Sequence, residues 1–266
     1  MVDMVDTLLR WLQRQGTAAN RGAGGEGLLG GHDQPGLTST SGASIDGNVI
    51  LFLAANPGRT TRLALDEECA AIERELRMTA GHHDLVFHPR WAITIDEMMR
   101  HLNVMRPAVV HFSGHGGSAA TVLCDARSQR AEGHRDVAAI GNAGIVLQDQ
   151  GGEPKHVTAS ALTRMIGSAA PSTRLVVLNA CYSQEVARSL CDVVDCAIGM
   201  HGSLGDPAAR AFAVALYRAL GYRRSVENAL AQAGATLEAH GLAAGCVPVC
   251  HTRKGISAAR VVLPRR

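Results

Sequence analysis

The sequence predicts an α/β protein in which a mainly parallel central sheet of about six strands lies between two layers of helices. Three observations carry this. Continuous apolar runs of strand length, "NVILFLAA" (48–55), "PAVVHFS" (107–113) and "RLVVLNA" (174–180), lack the polar alternation of a half-exposed strand, as strands buried on both faces do. Amphipathic segments with helical periodicity alternate with these runs. A stretch rich in Gly, Ser and Thr separates all of this from the first residues.

Taken in order, residues 1–15 read as a short helix with Val5, Leu8, Leu9 and Leu12 on one face, marginal by itself. Residues 16–47 read as a flexible linker, so the folded domain is expected over 48–266. After the first strand, "LALDEECAAIERELRM" places Leu65, Cys69, Ile72 and Leu76 on one helical face. Strand 84–88, a helix over about 94–103 and strand 107–113 complete a βαβαβ order, the mark of a parallel sheet covered on both sides. Beyond an irregular stretch, "GIVLQD" (144–149) reads as a strand or hairpin arm and 158–167 as a helix. Strand 174–180, helix 183–190, strand 195–200, helices 206–220 and 225–239, and a last strand near 247–250 follow.

The totals exclude several function classes. With 26 basic and 24 acidic residues the net charge is +2, and aromatic residues make up 3%, so neither an electrostatic footprint for nucleic acid nor a base-stacking platform is present. Asp3 and Asp6 stand where a secretory leader carries positive charge, and no run approaches the ~20 apolar residues of a membrane helix, so a cytoplasmic protein without membrane contact is expected. Seven cysteines without an export signal argue for reduced thiols rather than a disulfide framework.

Active groups in such sheets collect beyond the carboxyl ends of the strands. Two strands end in unusual chemistry. One exits through "SGHGG", which sets His115 between glycines that let a substrate approach the backbone. The other exits through "ACYSQE", which delivers Cys181 at the start of a helix, where unpaired N–H groups favour thiolate. Loops leaving neighbouring strands can meet at one carbonyl, with His115 as general acid and base, Cys181 as nucleophile, and the backbone N–H groups of Gly116 and Cys181 as an oxyanion hole. His111, inside the strand, reads as a packed core histidine. Cys191 with Cys196, and Cys246 with Cys250 and His251, lack zinc-ribbon spacing and read as core; there is no G-x-S-x-G elbow for a serine hydrolase.

The ordered set "ILFLAANP" (50–57), "LDEE" (65–68), "VVHFSGHGG" (109–117), "VVLNACYS" (176–183), "AIGM" (197–200) and "DPAARAFAVALYRALG" (206–221) resembles the CHAT family, caspase-like domains of the caspase and separase superfamily. The resemblance implies a three-layer α/β/α sandwich and a cysteine endopeptidase with a His115–Cys181 dyad, acting on protein or peptide substrates without a metal or organic cofactor. It further implies that Asn179, two residues before the nucleophile, lines the pocket for the side chain preceding the cut bond; an Asn at a strand end equally closes a turn. Asp206 stands where separase-like relatives place an acidic residue selecting Arg or Lys, though Asp206-Pro207 also fits a helix N-cap and first position. Arg59 and Arg62 are the candidates for the opposite, acidic preference.

Sixty-six residues separate the dyad, a long spacing for such domains, and the excess falls in 118–144, where Arg127, Arg130 and Arg135 suggest a self-cleavage or regulatory loop. The setting the resemblance implies is a regulated effector of a bacterial-type defence or cell-death pathway; the apolar stripe of residues 1–15 suggests that this segment docks a partner, such as a sensor or activator, or the domain itself. The alternatives are a silent caspase-like recruitment module, disfavoured by the presence of both His115 and Cys181, and a TIR-like nucleotide-cleaving module, which would want a catalytic glutamate in its cleft.

Overall fold

Why the apolar runs stay continuous is visible in the sheet they build. A computed structural model describes residues 48–79, 85–118, 143–243 and 246–264. The expected N-terminal helix, the linker and the three insertion arginines lie outside the described residues.

Strands β1 (Val49–Ala55), β2 (Val86–Arg90), β3 (Val109–Gly114), β7 (Leu175–Asn179), β8 (Cys196–Gly202) and β9 (Cys246–Thr252) form one sheet in the order β2-β1-β3-β7-β8-β9. All pairs are parallel except β8 with β9. Helices α1 (Leu65–Met78), α5 (Asp206–Gly221) and α6 (Val226–Ala239) cover one face; α2 (Ile95–Met105), α3 (Ala159–Ala169) and α4 (Gln184–Leu190) cover the other. Along β1, Ile50, Phe52 and Ala54 enter the first core while Leu51, Leu53 and Ala55 enter the second, so every position is apolar. This is the three-layer α/β/α arrangement that the sequence predicts.

The helices start where local chemistry satisfies their first N–H groups. The Thr94 hydroxyl accepts from Glu97 N–H at 3.3 Å, and the Glu97 carboxylate accepts from Thr94 N–H at 3.1 Å. Thr158 and Ser225 likewise accept from Ala161 and Asn228 at the starts of α3 and α6. Leu65, Cys69, Ile72 and Leu76 are all buried beneath α1, at roughly 1.5–3 kcal/mol for each fully buried Leu or Ile.

Two features differ from the sequence-based reading. Strand β2 runs over 86–90 rather than 84–88 and contains Pro89, which lacks an N–H and is tolerated because β2 is an edge strand paired only with β1. Residues just beyond His115 are not a plain loop: β4 (Gly116–Ser118) pairs with β5 (Ala143–Gln148), which pairs with β6 (Pro154–Thr158), as a separate antiparallel sheet. Three small residues carry no periodicity, and β6 holds Pro and Lys, so neither announces itself as a strand. The β5–β6 turn is closed by the Asp149 carboxylate, which accepts from Gly151 N–H at 2.8 Å and Glu153 N–H at 2.9 Å. Among the described residues no helix is long and apolar enough to cross a membrane.

Candidate active site

Strands β3 and β7 are neighbours, and their last paired residues are Ser113 and Asn179. His115 and Cys181 each stand two residues farther on, so adjacent parallel strands deliver both to one edge of the sheet. A pocket of about 390 Å³, mouth included, is lined there by His115, Cys181, Asn179 and Asp206, together with Glu68 and Ser113. All four side chains singled out in the sequence thus border one cavity.

The turn that carries His115 lies directly on the backbone of the nucleophile candidate. A Cβ added at Gly116 would stand 2.5 Å from the Cys181 carbonyl oxygen and 3.0 Å from Ala180 Cβ, so only glycine permits the approach. Gly116 faces Ile145 across the β4–β5 ladder, and the hydrogen bond from Val146 N–H to His115 O brackets that pair. Gly116 therefore occupies a non-hydrogen-bonded position whose N–H points away from β5. His115, partly exposed, holds the Thr61 carbonyl oxygen 2.8 Å from its Nε2. A carbonyl only accepts, so Nε2 carries the proton and Nδ1 is the basic nitrogen.

Cys181 is partly buried and sits in the turn between β7 and α4, three residues before the helix begins. Its sulfur accepts from Leu204 N–H at 3.2 Å and lies 3.7 Å from Leu204 O and 3.9 Å from Ser203 Oγ. The expectation of a thiol on the helix N-terminus is thereby corrected: α4 starts only at Gln184, and the N–H on the sulfur comes from the loop after β8. Tyr182, next in the chain, takes a left-handed φ of 52°, a costly conformation for a large side chain. Buried Ser183 holds the turn, its Oγ 3.0 Å from Leu178 O and 2.8 Å from Ala180 O while accepting from Met200 N–H at 3.0 Å.

Asn179 does not close a turn. Its amide donates to Glu68 Oε1 at 2.8 Å and to Ala209 O at 3.1 Å, and its Oδ1 is buried without a partner among the described residues. Asp206 is not the N-cap. Gly205 takes that place, and Asp206 is the first residue of α5, its carboxylate accepting from Ala64 N–H at 3.1 Å, immediately before α1. One carboxylate thus supplies the acceptor that the start of α1 lacks from its own sequence. Arg59 and Arg62 are exposed and line no part of the pocket; Arg59 reaches Glu153 at 3.4 Å.

His111 is a core histidine, fully buried, its Nε2 2.9 Å from Glu68 Oε1 and its Nδ1 3.1 Å from the Tyr217 hydroxyl. Burial, reinforced by the Glu68 charge, pushes the Tyr217 hydroxyl well above its usual range, so it keeps its proton and donates to Nδ1. Nε2–H then donates to Glu68. Sequence reasoning passed over Glu68 and the Thr61 carbonyl. A backbone oxygen leaves no mark in a sequence. Glu68 does leave one: it is a carboxylate on the apolar face of α1, beside Cys69 and one turn from Leu65 and Ile72.

Comparison with known proteins matches residues 32–240 to the CHAT domain family, a span that covers most of the chain and starts inside the segment read as a linker. Among solved structures, the chain is similar to a secreted C11 cysteine protease from Bacteroides thetaiotaomicron in complex with an irreversible peptide inhibitor, at 16% identity and a TM-score of 0.45. That alignment covers 73% of this chain and 59% of the C11 protease, so the chain spans well under two thirds of that protein. It is also similar to the Drosophila initiator caspase Dronc, at 10% identity and a TM-score of 0.46, covering 85% of this chain and 93% of the caspase. Comparison with curated proteins gave no match. The match over 32–240 decides the family: the chain belongs to the CHAT domain family.

Proposed function

We propose that this chain is a cysteine endopeptidase with His115 and Cys181 as its dyad. The observation that carries the reading is the shared pocket, in which Gly116 seats the His115 turn against the Cys181 backbone. The sulfur attacks the scissile carbonyl carbon as thiolate, and the displaced carbonyl electrons form an oxyanion facing the N–H groups of Gly116 and Cys181. The proton held by imidazolium at His115 Nδ1 passes to the leaving amine as the C–N bond breaks. In the second half, Nδ1 takes a proton from water, the hydroxide attacks the thioester, and Cys181 departs as thiolate. The Thr61 carbonyl stabilises the imidazolium and holds the ring plane.

Substrates with Arg or Lys before the cut bond fit the pocket. Glu68 and Asp206 border it, and no Arg or Lys lines it among the described residues. A regulated role in defence or cell death follows from the family resemblance, and the apolar stripe of residues 1–15 supports docking of an activator there. The test is a peptide-library cleavage assay on wild type, Cys181→Ala and His115→Ala. Cleavage by wild type, lost in both variants while their melting temperatures hold, is expected. Wild-type cleavage by Cys181→Ala would overturn the mechanism.

A further inference from the structure

The β3–β7 ladder ends at Ser113 and Asn179, and beyond it the two strands part company. β3 turns into a different sheet through β4, and β7 turns into α4. No backbone pairing therefore ties His115 to Cys181 where their relative position matters most. At that point the Glu68 carboxylate, 3% exposed, reaches in from α1. Its Oε2 accepts from Ser113 Oγ at 2.8 Å, and its Oε1 accepts from Asn179 Nδ2 at 2.8 Å and from His111 Nε2 at 2.9 Å.

We infer that Glu68 is a positioning residue: its carboxylate clamps the diverging ends of β3 and β7 two residues before His115 and Cys181 and so holds the dyad in register. The inference rests on the dyad reading above. Ser113, Asn179 and His111 are themselves buried, so their donors have no water to fall back on, and bonds to an ionised acceptor are about twice as strong as neutral ones. The clamp is anchored behind. His111 is held by Tyr217, Asn179 also donates to Ala209 O on α5, and Asp206 at the start of α5 accepts from Ala64 N–H beside α1. A helix outside the sheet, braced against a second helix, thus sets the distance between two loops.

The test is the pH dependence of Cys181 alkylation by iodoacetamide, read by peptide mapping on the full chain, which needs no substrate and no activator. In wild type an aligned His115 extends Cys181 reactivity below the ordinary thiol range near pH 8.5. Glu68→Ala should move that profile toward an ordinary thiol, with at least a tenfold slower reaction at pH 6. Glu68→Gln can still accept from His111 and Asn179 through its oxygen and donate to Ser113 through its amide, so it should stay within about threefold of wild type. Should Glu68→Ala not fold, Ser113→Ala decides, since it cuts the β3 tie nearer to His115 and leaves those of His111 and Asn179 in place; about threefold slowing at pH 6 is expected. A profile unchanged in folded Glu68→Ala, or in Ser113→Ala where that variant decides, overturns the clamp and leaves the dyad standing. Equal impairment in Glu68→Gln and Glu68→Ala also overturns it, because charge rather than position would then be at work. An ordinary-thiol profile in wild type overturns the aligned dyad itself, and with it the clamp.

Discussion

Gly116→Ala is the smallest change that separates the strand end bearing His115 from the backbone bearing Cys181. The added Cβ would stand 2.5 Å from Cys181 O, whereas real Cβ contacts stay beyond 3.0 Å, so the two segments must move at least 0.5 Å apart. Ala180 Cβ at 3.0 Å blocks escape to one side. Gly116 does not require a left-handed φ, so the whole effect is steric. Overpacking of this kind costs about 1–3 kcal/mol, which for a domain of this size lowers Tm by roughly 2–12 °C. Displacements near 1 Å can cost ~10²-fold in rate, and half that should still cost about tenfold in kcat/KM. The assay pairs peptide cleavage with thermal denaturation, and Gly234→Ala serves as the control. A Cβ at Gly234, inside α6, meets nothing within 4 Å, so that variant should gain about 0.5–1 kcal/mol and keep its activity. Wild-type turnover and Tm in Gly116→Ala would refute the close seating of the two loops.

Three further outcomes follow from the same geometry. Burial pushes the Cys69 thiol up to about 12 and those of Cys191 and Cys246 up to about 11, leaving fewer than roughly one in a thousand ionised at pH 7.5. Iodoacetamide at that pH should modify Cys181 before any of the three, and early modification of Cys69 in mass-spectrometric mapping would contradict its packing. Asp206→Asn keeps an acceptor for Ala64 N–H while removing charge, so it should hold stability and lower kcat/KM for Arg or Lys substrates about tenfold; an unchanged preference would sink the acidic-pocket reading. Thr94→Ala removes the cap of α2 and should cost about 1 kcal/mol at pH 7. The backbone and hydroxyl of Thr94 hold the Glu97 carboxyl below its usual value, so the part of this stabilisation that comes from the hydroxyl's bond to that carboxylate is present above about pH 4.3 and fades as pH falls through the depressed value. Denaturation midpoints of wild type and variant should accordingly move closer at acid pH and stay apart by the part that Thr94 Oγ supplies in accepting from Glu97 N–H.

The pieces that the sequence showed plainly are those governed by local pattern. Strands buried on both faces must be apolar at every position, so β1, β3 and β7 stand out as unbroken runs, and α1 shows its buried face through Leu65, Cys69, Ile72 and Leu76. His115 and Cys181 stood out because an ionisable group straight after such a run sits where a sheet delivers its loops. β4 stayed hidden because Gly116–Ser118 takes its strand form from pairing with β5, and no property of "GGS" requires it. The α4 boundary and the role of Asp206 depend on contacts with the loop after β8 and with Ala64, 142 residues away.

By itself, then, the sequence determined the alternation of elements, the family and the two side chains suited to nucleophilic chemistry, because periodicity and residue type act over a few neighbouring positions. Only the tertiary structure decided that β3 and β7 are adjacent and that Thr61 orients His115. It alone decided that Leu204 holds the Cys181 sulfur and that Glu68 gathers both strand ends. Those contacts join residues 23 to 111 positions apart, and a hydrogen bond of 3 Å between distant segments exists only once the sheet has brought them together.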